Sequence, residues 1–140
     1  MIPIIDHIQI TVKNLSAAEA FYDKMFALLG FDISKKSRAV IEEHDFRVVE
    51  YIHPLLAFAI TSPRKAFAGD AIHRRKPGAL HHLAFKAESR AEVDRLHLEL
   101  LAIGATIVSP PREYPEYNPP GYYAVFFKDP DGIKYEIVHH

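Results

Sequence analysis

The chain has 140 residues, no cysteine and a formal net charge of −1. The missing cysteine excludes a disulfide framework, a thiolate zinc site and a cysteine nucleophile. The near-neutral charge argues against a general binder of nucleic acid or of membrane surfaces, both of which need a basic excess. Apolar residues make up 49% and charged residues 25%, the balance of an ordinary soluble protein. The length suits one compact domain, which can bury a core of its own.

Met1 runs almost directly into a strand-like segment, Ile4 to Val12. No basic stretch followed by a longer apolar one precedes it, so no signal peptide is expected. No apolar run approaches the roughly 18 residues of a membrane span. The expectation is a soluble cytoplasmic protein.

The segment Asp6-His7-Ile8-Gln9-Ile10-Thr11-Val12 alternates polar and apolar side chains, the period of a half-buried strand. His7, Gln9 and Thr11 share one face. A helix is expected next. Ser16-Ala17-Ala18-Glu19 has capping-box spacing. Phe21, Met25, Leu28 and Leu29 recur as a core-facing stripe, and Gly30 stands where a left-handed cap is needed. Strands are predicted at Phe31 to Ser37, Phe46 to Ile52 and Leu55 to Ile60.

The same order restarts near residue 79. His82 to Lys86 reads as a strand, and Ser89-Arg90-Ala91-Glu92 as a second capping box. Val93, Leu96, Leu100 and Ile103 form a second stripe, closed by Gly104. Strands are predicted at Ala105 to Val108, Tyr122 to Phe127 and Ile133 to Val138. His82 lies 75 residues after His7, Ser89 73 after Ser16, and Gly104 74 after Gly30. One order of features, repeated at one offset, marks an internal duplication. Each half reads as βαβββ. The fold class is α+β: two tandem modules, about 3–61 and about 79–139, forming one domain with a cup-shaped mixed sheet and helices outside.

Two stretches fall outside the repeat. Residues 62–78 are basic, with Arg64, Lys65, Arg74, Arg75 and Lys76. They read as a solvated connector or as an anchor for an anionic substrate group. Residues 109–121 hold five of the ten prolines and Tyr114 and Tyr117. A loop this long with amphipathic rings suggests a lid or pocket wall.

The equivalent histidines carry the functional reading. In the second opening strand His81 shares a face with Leu83 and Phe85, so it is expected to face the helices. His82 points the other way, as His7 does. Repeated units commonly pair about a pseudo-twofold, which would bring the two imidazoles together as the start of a divalent metal site. The last strand offers a third ligand, because Glu136 takes the face opposite Tyr135 and Ile137. The turn Asp129-Pro130-Asp131-Gly132 sets its register. The other histidines, His44, His53, His73 and His97, read as solvated or capping groups, and His139 and His140 end the chain.

With His7-Ile-Gln-Ile, His82-Leu-Ala-Phe and Asp129-Pro-Asp-Gly-x-x-x-Glu136 in place, the chain resembles the glyoxalase/bleomycin-resistance/dioxygenase superfamily, also called vicinal oxygen chelate. The resemblance covers essentially all of it. It implies one divalent ion (Fe, Mn, Zn, Ni or Co) on His7, His82 and Glu136, and a small oxygen-rich substrate chelating that ion. A homodimer is expected on the same ground. Glyoxalase I enzymes carry a further glutamate on the last strand of the first module. About that position stands Phe58, which disfavours that activity. Extradiol dioxygenases place a tyrosine at the position of Phe126 and a histidine several residues upstream, where this chain has Tyr117-Asn118-Pro119. Thiol transferases of the fosfomycin type share the ligand types without a matching substrate loop. Tyr122 and Tyr123 are the candidate catalytic groups, and Tyr114, Tyr117, Phe58 and Gln9 the candidate substrate contacts. The alternative is a metal-free drug-binding protein of the bleomycin-resistance type.

Overall fold

A computed structural model describes residues 3–140. The chain divides into two compact units, the first ending at Asp70 and the second running Ala71–His140. Among the described residues no helix is long and apolar enough to cross a membrane.

Unit 1 contains β1 (His7–Thr11), α1 (Leu15–Leu28), β2 (Ser37–Ile41), β3 (Phe46–His53) and β4 (Leu56–Thr61). Its sheet has the order β1-β4-β3-β2. β1 and β4 run parallel and the other neighbours antiparallel. Unit 2 repeats the plan with β5 (Leu83–Lys86), α2 (Arg90–Ala102), β6 (Thr106–Glu113), β7 (Tyr123–Lys128) and β8 (Lys134–His139). Its sheet has the order β5-β8-β7-β6, again with one parallel pair, β5 and β8. The chain is α+β, built from two βαβββ modules with one four-stranded sheet each.

Both helices end as the glycines predict. Gly30 and Gly104 have φ of 86° and 90°, the left-handed conformation that only glycine adopts without a Cβ penalty. The second box forms in part: the Ser89 hydroxyl accepts from Glu92 N at 3.1 Å, while Glu92 Oε2 accepts from Glu88 N at 2.8 Å, one residue before the cap. The first does not form. Asn14 caps α1 instead, its Oδ1 accepting from Ala17 N at 3.0 Å. Glu19 is drawn elsewhere, to Lys36 Nζ at 2.7 Å and to the Arg38 guanidinium. The α1 stripe is also wider than the sequence suggests. Tyr22 and Phe26 are fully buried beside Phe21 and Met25, whereas Leu28 and Leu29 are only half-buried.

Two predicted boundaries move. Phe31 to Ser37 is not a strand; Ile33–Lys35 forms a 3₁₀ turn and β2 starts at Ser37. Asp32 accounts for this, because its carboxylate accepts from Ser34 N and closes the turn. The expected loop 109–121 is shorter, since β6 runs through Pro110 and Pro111 to Glu113. β6 is an edge strand with register shifts after Ile107 and Ser109, the place where a strand tolerates residues lacking an N–H.

Candidate functional site

The turn before β8 positions the site. Asp129 is buried, and its Oδ1 accepts from Asp131 N at 3.0 Å and Ile133 N at 2.8 Å. Gly132 takes φ of 92°. This knot sets the register of β8 against β7, pairing Phe126 with Glu136 and Phe127 with Tyr135. Alternation then puts Tyr135 and Ile137 with Phe127, Val125, Leu83 and Phe85. Glu136 takes the other face, in line with Phe126 and Ala84.

Glu136 is 1% exposed. Burying a carboxylate costs several kcal/mol unless partners replace water. Two do so here. The Tyr122 hydroxyl donates to Oε1 at 2.5 Å, and His82 Nε2 stands 3.3 Å from Oε2. Burial, then the bond to Glu136, pushes the Tyr122 hydroxyl well above its ordinary pKa. Tyr122 therefore keeps its proton at neutral pH and serves Glu136 as a hydrogen-bond donor.

These groups line a cleft of about 430 Å³, completed by His81, Glu116, Tyr117, Asn118, Phe126 and Lys134. The wall that Tyr117 belongs to is ordered by ring packing. Tyr117 stacks on Tyr114 with centroids 5.1 Å apart, and Tyr114 meets Phe126 edge-on at 5.4 Å. Tyr114 N donates to Tyr122 O at 2.8 Å, pinning both ends of the loop.

Three expectations for unit 2 need correction. Tyr123 stands outside the cleft: it pairs with His139 in the same register as Val125 and Phe127, and its hydroxyl donates to Asp94 of α2 at 2.7 Å. Tyr114 is buried behind the wall, donating to Ser109 Oγ at 2.7 Å. His81 does not face the helix. It lies in the cleft with its Nδ1 2.7 Å from His82 Nδ1. The strand begins only at Leu83, so alternation does not reach back to His81.

In unit 1, His7 Nδ1 lies 2.7 Å from Asp6 Oδ1, and the His7 side chain is largely exposed. Gln9 is exposed on the same strand face. Phe58, expected against substrate, is a core residue. It is fully buried against Phe26 and Tyr22 of α1, with centroids 4.9 and 6.3 Å away. Register explains why. Phe58 pairs with Ile8 and Tyr51, whereas Ala59 pairs with Gln9 and Glu50. The unit 1 row Gln9–Ala59–Glu50–Ser37 corresponds to Ala84–Glu136–Phe126–Ser109 in unit 2. The counterpart of Glu136 is thus Ala59. The position expected at Phe58 is therefore one residue further along, and it too has no carboxylate. It also missed Glu50, one strand over, whose Oε2 lies 3.4 Å from Ser37 Oγ.

A doubled βαβββ plan, a buried glutamate set by an Asp-Pro-Asp-Gly turn, and a histidine facing it decide the family. The description "Glyoxalase/Bleomycin resistance protein/Dioxygenase superfamily" matches residues 4–137. The chain belongs to this superfamily. It is 34% identical to YqjT, an uncharacterized protein of Bacillus subtilis (strain 168), over 94% of this chain and 95% of that one. Among solved structures, a Bacillus halodurans protein provisionally named a glyoxalase is 30% identical, with a TM-score of 0.75 over 99% and 97% of the two chains. A glyoxalase/bleomycin resistance protein of Albidiferax ferrireducens T118 is 26% identical, with a TM-score of 0.67 over 97% and 98%.

Divalent-metal use is frequent in the superfamily, and the donor set here suits it. His82 Nε2 and Glu136 Oε2 lie close enough to share an ion, and one imidazole with one carboxylate is a borderline-hard pair. Among the described residues no group of three or more His, Asp or Glu side chains is gathered for an ion. A larger cleft in unit 1, about 670 Å³, includes Lys13, Arg47, Lys65, Glu42 and Asp45 in its lining. It mixes charges and contains no imidazole, so the chemistry points to the smaller cleft.

Proposed function

We propose that the protein is a metal-dependent enzyme acting on a small oxygen-rich molecule, with His82 and Glu136 as metal ligands. The observation that carries this reading is the buried Glu136 carboxylate beside His82 Nε2 at the base of a cleft. A divalent ion held there would supply Lewis acidity toward two adjacent substrate oxygens.

The chain's own residues prepare the site. For His82 Nε2 to offer a lone pair, its proton must sit on Nδ1. That proton can be donated to His81 Nδ1, 2.7 Å away, if His81 carries its own on Nε2. His81 is then a positioning residue that sets the tautomer of His82. Tyr122 holds Glu136 by one oxygen and leaves the other facing His82. Phe126 and the Tyr117 ring give the cleft apolar surface that excludes water. Tyr117 and Asn118 offer polar groups for orienting a substrate.

One observation favours the alternative, a metal-free binding protein: Tyr122 donates to one oxygen of Glu136 and His82 Nε2 stands 3.3 Å from the other, so the carboxylate has polar neighbours without an ion. Metal analysis of untagged protein, purified without added metal, separates the two. The enzyme reading expects near-stoichiometric metal that is lost in Glu136→Gln and His82→Ala. A trace level unchanged across the wild type and both variants sinks it. Activity screening against α-ketoaldehyde–thiol adducts, catechols and epoxides, with each candidate metal, would then define the reaction.

A further inference from the structure

Tyr117, Tyr122 and Phe126 line the cleft of unit 2, and two of these rings are already engaged. Phe126 is buried, with the Lys134 ammonium over its ring, 4.1 Å from the centroid, and with His82 and Tyr114 packed against it near right angles. Tyr122 carries the His140 ring, stacked with centroids 5.5 Å apart. Tyr117 differs, being 44% exposed.

Tyr117 is held flat against Tyr114, its plane within 4° of parallel. The Arg112 guanidinium lies 3.6 Å from the Tyr114 centroid. Two groups this close to one ring cannot share a face, so the stack runs Arg112, Tyr114, Tyr117. Its base is fixed, because Tyr114 is buried and donates through its hydroxyl to Ser109 and through its N–H to Tyr122 O. Tyr117 N donates in turn to Tyr114 O at 3.0 Å. Tyr122 stands near a right angle to both rings, 5.4 Å from the Tyr117 centroid and 6.4 Å from that of Tyr114. Those separations put Tyr122 at the rim of Tyr117. Among the described residues no ring is stacked on the outer face of Tyr117.

The cleft calls for no charge in its ligand. Lys134 and Glu136 lie two residues apart on one face of β8 and offset each other. Glu116 pairs with Arg112 at 3.3 Å. A lone exposed tyrosine is ordinary. A tyrosine locked parallel to a second ring in a cleft wall is not, because its rotamer freedom is lost before any ligand arrives. A flat, fixed ring gains most from a flat partner.

We propose that the outer face of Tyr117 is a stacking platform for an uncharged planar ring, aromatic or heteroaromatic, in the ligand of this cleft. The inference names the substrate class, and rests on the metal reading above for the chelating end of the molecule. Tyr122 links the two ends, its ring beside Tyr117 and its hydroxyl on Glu136. Ring and chelating oxygens therefore fit within one small molecule.

The test uses probes that are uncharged at neutral pH, titrated calorimetrically into full-length protein, metal-loaded and metal-free. One pair is benzohydroxamic acid and its saturated twin, cyclohexanecarbohydroxamic acid. The other pair is the corresponding carboxamides, which lack the chelating group. The saturated ring is the more hydrophobic, so a gain for the flat one reads stacking and not burial. The loaded wild type should favour benzohydroxamic acid over its twin by about fivefold, the worth of an aromatic pair beyond its buried area. The preference should fall below about twofold in Tyr117→Leu and survive in Tyr117→Phe, with metal content unchanged in both. The chain has no tryptophan, so Tyr117→Trp sets a single indole at the platform. Its emission should respond to benzohydroxamic acid and not to the saturated twin. Equal, metal-dependent binding of the two hydroxamates by the wild type overturns the platform and leaves the metal reading standing. A ring preference that persists in Tyr117→Leu also overturns it. A Tyr117-dependent preference for benzamide, with hydroxamates bound no more tightly by loaded protein, supports the platform and counts against the metal. Failure of every probe to bind overturns both.

Discussion

The Tyr122 hydroxyl and the Glu136 carboxylate are joined at 2.5 Å, and this bond closes one side of a side chain that is 1% exposed. The partners come from opposite ends of a hairpin, Tyr122 just before β7 and Glu136 within β8. The tyrosine therefore fixes the carboxylate in place and also ties the aromatic wall to the strand that carries it.

Removing that donor should be felt in two ways. Tyr122→Phe leaves a buried, charged acceptor short of one bond, which costs about 1–3 kcal/mol. Urea unfolding of metal-free protein should show that loss. If Glu136 is a metal ligand, affinity should also fall by about 10–100-fold, the usual effect of losing an outer partner. Competition with a chelating dye would measure it. Unchanged affinity beside lowered stability would reduce Tyr122 to a packing role.

Phe58 and Tyr123 separate core from chemistry. Phe58→Ala empties a site packed by Tyr22 and Phe26 and should destabilise by about 3–5 kcal/mol. Tyr123→Phe loses an exposed bond to Asp94 and should cost less than about 1 kcal/mol. Neither should alter metal content once the protein is folded. A loss of metal in folded Tyr123→Phe would restore that residue to the site.

The stability of unit 1 should depend on pH through Glu19. Burial raises its pKa, but hydrogen bonds from Lys36 and Arg38 and their charges outweigh this and hold it below 4.5. A depressed carboxylate contributes stability above its unfolded pKa and loses it as pH falls through the folded value. Unfolding midpoints should therefore drop as the solution is acidified below about pH 4.5. Glu19→Gln should flatten that part of the profile and cost about 2 kcal/mol at pH 7. Parallel denaturation series for the two proteins, from pH 7 to pH 3, would check it. An identical slope in both would assign the acid sensitivity to other carboxylates.

What could be read from the chain alone follows from where periodicity holds. Inside a real strand, alternation placed Glu136 opposite Tyr135 and Ile137, and local turn chemistry placed Asp129 and Gly132. Outside the strand the same reasoning misplaced His81, because pairing starts at Leu83. β4 defeated it differently. Ala57, Phe58, Ala59 and Ile60 are apolar on both faces, so nothing local says which face meets α1. Asn14 displaced Ser16 as the cap because Glu19, the other half of the box, is held by Lys36 and Arg38 from beyond the helix. Lys134 and Glu50 went unnoticed because a single charge in a strand has meaning only once its neighbours across the sheet are known.

The prolines of β6 have a consequence unrelated to ligands. An outer strand with free N–H groups is a template on which other chains can polymerise. Pro110 and Pro111 leave two consecutive residues of this strand without an N–H, and the register shifts around them break its regular pairing. The corresponding outer strand of unit 1, β2, has neither device and exposes Val40 and Ile41. Aggregation of partly unfolded protein should therefore start along β2, where a lysine at Val40 would be the economical remedy.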